Sequence, residues 1–132
     1  MLKEYYNKNS LSRKRGAVRD MAIFELQPLR IPAGWYICYN MFSEYDPERD
    51  GEDGCLELCE DLLQLEHDKL LIDLGWYPHG DLNGSYKMYM VDKTRERPFE
   101  QPLEVFSSRS KERIIYMLEY WTQSGHYSKY LR

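Results

Sequence analysis

The chain has only three cysteines, Cys38, Cys55 and Cys59, in 132 residues. A small odd set does not make a disulfide framework, so reduced thiols and a fold held by its core are expected. No run of about 18 apolar residues occurs, which excludes a membrane-spanning helix. The opening MLKEYYNKNS lacks the apolar stretch of a secretory signal, and the expected location is cytoplasmic. There is no internal repeat, no low-complexity tract and no Gly-rich phosphate cradle. The three histidines, His67, His79 and His126, have no Ser or Cys nearby in a recognisable nucleophile setting. With so little for catalysis to build on, a non-enzymatic role is expected.

What is present is charge, unevenly placed. Residues 44–61 hold nine acids, Glu44, Asp46, Glu48, Asp50, Glu52, Asp53, Glu57, Glu60 and Asp61, against a single Arg49. That segment carries −8 while the whole chain carries −4. Such a run repels itself and is hard to bury, so it is solvated, bound to a cation, or turned toward a basic partner. Residues 1–20 carry six basic and two acidic residues, and the remainder is balanced. The expected organisation is a basic N-terminal arm over 1–20 followed by one domain over 21–132, large enough to bury a core without staples. Twelve tyrosines outnumber four Phe and three Trp. Amphipathic rings of this kind suit half-wet contact surfaces as well as sheets.

Periodicity predicts an α+β fold: an antiparallel sheet of four to six strands with a C-terminal helix packed on one face. A strand is expected over residues 21–26. Residues 34–42 carry aromatic or apolar side chains on both faces, the pattern of a central strand. Pro47, Gly51 and Gly54 make the acidic segment a loop. Residues 55–66 fit helix through Leu58, Leu62 and Leu65, or strand through Leu63 and Leu65. Over residues 69–92, two alternating runs flank the turn-rich PHGDLNG and predict a β-hairpin. A short strand is expected over 103–106. Ser107, Ser108 or Ser110 then caps a helix with Ile114, Met117, Leu118 and Trp121 on one face, Gly125 ends it, and a frayed tail follows.

Three constellations suggest chemistry. Asp46, Glu48, Asp50, Gly51 and Glu57 occupy positions 1, 3, 5, 6 and 12 of a calcium-type loop, where acids supply hard oxygen ligands. Against this, position 8 is Asp53 rather than a hydrophobic residue, and the entering segment reads as a strand. Cys55, Cys59 and His67 offer soft ligands without zinc spacing or a fourth donor. His79 and Asp81 lie together in the hairpin turn, where an exposed histidine without a role is the simpler reading. The expectation is therefore no metal and no cofactor. The basic head, with Arg13, Lys14, Arg15 and Arg19, suggests nucleic-acid contact, but the acidic segment would repel phosphates. Neither nucleic acid nor a membrane is expected as a partner.

Taken in order, the aromatic strand IPAGWYICYNMF, the acidic DP loop, LLIDLGWYPHGDLNGSYKMYMV, PLEVFSSRS and a helix ending in Trp121 resemble small bacterial immunity proteins of polymorphic toxin systems. The resemblance spans roughly residues 30–122 and leaves the arm outside. It implies a cytoplasmic inhibitor that binds a cognate toxin domain, in many cases a nuclease with a basic substrate channel. An acidic loop suits such a partner. The expected contact residues are Glu44, Asp46, Glu48, Asp50, Glu52 and Asp53, with Tyr45 as an aromatic anchor and His79 and Asp81 beside them. The alternative is a ligand- or calcium-binding regulatory domain.

Overall fold

The computed structural model describes residues 24–132. The expected basic arm and the start of the expected first strand lie outside them. Five strands, β1 (Tyr36–Asn40), β2 (Leu63–His67), β3 (Leu70–Tyr77), β4 (Ser85–Asp92) and β5 (Glu104–Ser108), form one sheet. Each pairs antiparallel with its sequence neighbour, in the order β1-β2-β3-β4-β5. With helix α2 (Lys111–Trp121) packed on one face, this is the α+β architecture that the periodicity predicts. A one-turn helix α1 (Pro47–Asp50) precedes β2, and α3 (Ser124–Tyr127) follows α2. Among the described residues no helix is long and apolar enough to cross a membrane.

The period-two pattern fixes which face each strand buries. Leu70, Ile72, Leu74 and Trp76 of β3 are wholly buried, opposite Met90, Met88 and Tyr86 of β4 and Leu65 and Leu63 of β2. From α2, Ile114, Leu118 and Trp121 pack onto the same face, at i, i+4 and i+7. Burying each such side chain contributes about 1.5–3 kcal/mol before the entropy of ordering it. Ser110 caps the helix, its hydroxyl accepting the Arg113 N–H at 3.3 Å. Between β2 and β3 the chain reverses at Asp68-Lys69, with Asp68 in the left-handed region at φ 54°. Asp is among the few non-glycine residues that tolerate this.

Several expectations are corrected. Strand β1 is an edge strand among the described residues, not a central one. Its aromatic character reflects one face on the core and one toward solvent, with Tyr36 70% exposed. An irregularity between Ile37 and Tyr39 shifts its register. The expected strand over 21–26 contributes, in its described part, only a bridge from Leu26 to Ser43. The ambiguous residues 55–66 split into a 3-10 turn, Cys55–Glu57, and strand β2.

Nor does Gly125 end the long helix. Helix α2 closes at Thr122, whose hydroxyl donates to the Leu118 carbonyl at 3.1 Å, and Gly125 lies inside α3. The expected frayed tail is anchored. Tyr127 is buried with its ring edge-on to Trp35 at 5.2 Å, and the Tyr130 hydroxyl donates to Glu104 at 2.5 Å.

Candidate interaction surface

The acidic segment is not a uniform flexible loop. Asp46 caps α1, its Oδ1 accepting the Glu48 N–H at 2.9 Å. Asp50 closes the same turn by accepting the Asp46 N–H at 2.9 Å and pairing with Arg49 at 2.8 Å. The Arg49 hydrogen bond holds the Asp50 carboxyl below its usual range. Arg49 also donates to the Glu44 carbonyl at 2.8 Å. Two of the six predicted contact acids thus stabilise their own backbone, while Glu44, Glu48, Glu52 and Asp53 are exposed.

Tyr45 is corrected outright as a partner anchor. It is 2% exposed, its ring stands edge-on to Phe24 at 5.3 Å, and its hydroxyl donates to the Gly51 carbonyl at 2.5 Å. Burial pushes its phenol up to about 12. It holds the loop from within because an aromatic side chain in this turn finds the core before it finds solvent.

The calcium and zinc geometries do not assemble. Among the described residues no group of three or more His, Cys, Asp or Glu is arranged to hold a metal ion. Asp46 and Asp50 serve a helical turn instead of wrapping a cation. Cys55 and Cys59 pack against the core. His67 is 2.8 Å from the Gly34 carbonyl, with its ring 4.7 Å from that of Tyr127.

His79 and Asp81 are exposed in the loop over residues 78–84, where Asp81 accepts the Asn83 N–H at 2.8 Å. The loop is tied down by Trp76, whose indole donates to the Asp81 carbonyl at 2.8 Å, and by Arg109, which donates to Leu82 at 2.7 Å and to Gly84. It also meets the far end of the acidic segment. Gly80 N–H donates to the Leu58 carbonyl at 2.7 Å, and the Tyr77 hydroxyl to that of Glu60 at 3.3 Å. The segment therefore runs along one end of the sheet, with Glu44 through Asp50 on the helix side and Glu60 and Asp61 beside Tyr77.

Two features of the structure have no counterpart in the predicted site. Lys111, at the first turn of α2, is 4% exposed, and its ammonium donates to the carbonyls of Ser43 and of Tyr45, the latter at 2.9 Å. It lies 5.2 Å from the Phe42 ring centre. Burial pulls it down to about 8, with Asp46 opposing that shift and Arg49 adding to it. It borders a mixed-charge hollow of about 330 Å³, shared with Glu44, Asp46, Arg49 and Glu112. A lysine beginning a helix reads as solvent-facing in any sequence, so nothing in the pattern marked it.

The second is the sheet face away from α2. Register places Tyr39, Gln64, Asp73, Tyr89 and Val105 in one row across all five strands. Tyr39, Tyr77, Val105 and Phe99, whose ring is edge-on to Tyr89, are 42%, 37%, 49% and 46% exposed. Asp73 sits mid-row, only 7% exposed, with Oδ1 accepting from the Gln64 amide at 2.9 Å. Burial raises its carboxyl above the ordinary range. A single acid inside the apolar run LLIDLGWY was the visible signal for this site.

The arrangement presents exposed acids and tyrosines around one buried carboxyl group. Set against known proteins, the chain matches no family model, no curated protein and no solved structure.

Proposed function

We propose that the chain is an immunity-type inhibitor, a binding protein that neutralises a cognate toxin domain by covering a basic surface which otherwise receives substrate. The supporting observation is the exposed acidic ridge. Glu44, Glu48, Glu52 and Asp53 stand on a backbone already held by the Asp46 cap and the Arg49–Asp50 pair, and Glu60 and Asp61 continue the ridge. Preorganised like charge speeds encounter with a basic partner and disfavours acidic competitors. A nuclease channel is a surface of that kind.

The test is co-purification from the native cell, followed by expression of the captured partner's domains one at a time. One domain should arrest growth, and co-expression of this chain should restore it. Replacing Glu44, Glu48, Glu52 and Asp53 together by their amides should abolish rescue without loss of folded protein. If no captured domain is toxic, or if the amide variant rescues fully, the reading fails.

A further inference from the structure

We propose that the open sheet face, centred on Asp73, is a socket for a single arginine side chain of a basic protein partner. This deepens the reading above by moving the specific contact from the ridge to the sheet, and rests on it only for the partner's identity.

The reasoning begins with a carboxylate out of place. Asp73 is 93% removed from solvent, yet among the described residues its one hydrogen-bond donor is the neutral Gln64 amide. No described lysine or arginine forms an ion pair with it. Of the cations nearest by register, Lys87 stands 5.8 Å from the Tyr89 ring centre, and Lys93 pairs with Glu66 at 2.6 Å. Asp61 adds like charge. A buried carboxylate lacking a cation is unfavourable in the isolated chain, and an incoming cation relieves it.

The surroundings specify the cation. Tyr89 lies directly across the pair from Asp73, and Tyr77 is four residues along the same strand. At Gly75, between them, the Glu60 carbonyl and the Tyr77 ring edge take the place a side chain would fill. A guanidinium matches a carboxylate through two parallel hydrogen bonds and stacks on aromatic faces, which a lysine ammonium does less well. Exposed Tyr39 and Val105 continue the row to either side as a half-apolar contact surface, and Glu60 and Asp61 rim it with the charge that attracts a basic protein. The same acids repel a nucleic-acid or anionic-membrane occupant.

The experiment uses the full chain and a defined probe. N-acetyl-arginine amide is titrated into isotope-labelled protein and followed by NMR, with N-acetyl-citrulline amide as the neutral isostere. The Gln64 side-chain amide and the backbone amides of Tyr77 and Tyr89 should shift with saturation in the millimolar range. D73N, which keeps an acceptor for Gln64, should weaken that response at least fivefold, and citrulline should give none. If D73N does not fold, Y77L supplies the comparison and should weaken it at least twofold. Equal shifts in the variant, equal shifts with citrulline, or shifts confined to residues 44–53 overturn the proposal. So does a response that appears without probe as protein concentration rises, which would place a second copy on this face. Against a toxin domain captured as described above, D73N should lose at least tenfold in affinity. Failure to capture any toxin leaves the NMR result to decide the socket alone.

Discussion

Lys111 makes a prediction that runs against the usual behaviour of proteins in mild base. Its ammonium, ordinarily near 10.5, is drawn down to about 8 in the folded chain. Between those values the unfolded chain still binds the proton that the folded chain has released. Stability therefore rises with pH, by up to about 1.4 kcal/mol per pH unit for one group. Over pH 8–9.5 that amounts to roughly 2 kcal/mol. Two sets of groups oppose the rise from higher pH. Cys38 is pushed from 9.0 to about 11 by burial and Glu66, and Tyr45 and Tyr130 from 10.0 to about 12. Each is deprotonated first in the unfolded chain, so each lowers stability above its ordinary value. In a Cys38→Ser background the window below pH 9.5 isolates the lysine. Urea denaturation across pH 7–9.5 should show stability climbing there, and adding Lys111→Met should flatten the curve. The substitution also moves the baseline, because the Ser43 and Tyr45 carbonyls lose their donor while the cost of burying an ammonium disappears. The slope, not the baseline, is the test. Curves that stay parallel with and without Lys111→Met would refute the assignment.

Three further outcomes follow from other parts of the molecule. Converting Glu48, Glu52 and Asp53 to amides should change stability by no more than about 0.5 kcal/mol per site, since all three are exposed, while weakening the captured partner's binding more than tenfold by calorimetry. An affinity within twofold of the native chain would remove the ridge from the interface. Gly75→Ala should destabilise by about 1–3 kcal/mol in a urea melt, because a Cβ there would lie 1.9 Å from the Glu60 carbonyl oxygen; an unchanged midpoint would show that the segment over Gly75 yields freely. Cys38, though exposed, should alkylate at pH 8 more than tenfold slower than a free thiol, since its S–H faces Glu66 at 3.1 Å and little thiolate is present. Mass spectrometry of iodoacetamide-treated protein reads this directly, and a rate equal to free cysteine would contradict it.

The elements legible in advance were those whose period and punctuation agreed. The hairpin of β3 and β4 announced itself through LLIDLGWY, a turn-rich loop and SYKMYMVD, and α2 through Ser110 and the stripe ending in Trp121. What stayed illegible depended on distant partners. Aromatic residues on both faces of β1 look central in one dimension, but edge position is decided by which strand pairs with which. Residues 55–66 satisfied two periods because Leu58, Leu62, Leu63 and Leu65 are all buried, in segments of different geometry. In the acidic segment, composition marked a surface but could not separate Asp46 and Asp50, turned inward to cap a helical turn, from Glu48, Glu52 and Asp53, turned outward. Lys111 was an ordinary letter until packing buried it, whereas Asp73 stood out as the lone acid of LLIDLGWY.

The closure of Trp35 by the chain's last helices has a consequence for how the protein comes into being. The Trp35 indole donates to the Thr122 carbonyl at 3.1 Å, and the Arg30 N–H to Glu119 at 2.7 Å, contacts that bridge 87 and 89 residues. The strands can zip as successive local hairpins while synthesis proceeds, but the layer that covers their apolar face is made afterwards. A ribosome paused before Lys111 would hold a sheet with Leu65, Ile72, Leu74 and Met88 still bare, a species inviting chaperones and aggregation. Stalled nascent chains halted before and after α2 should accordingly differ sharply in protease resistance.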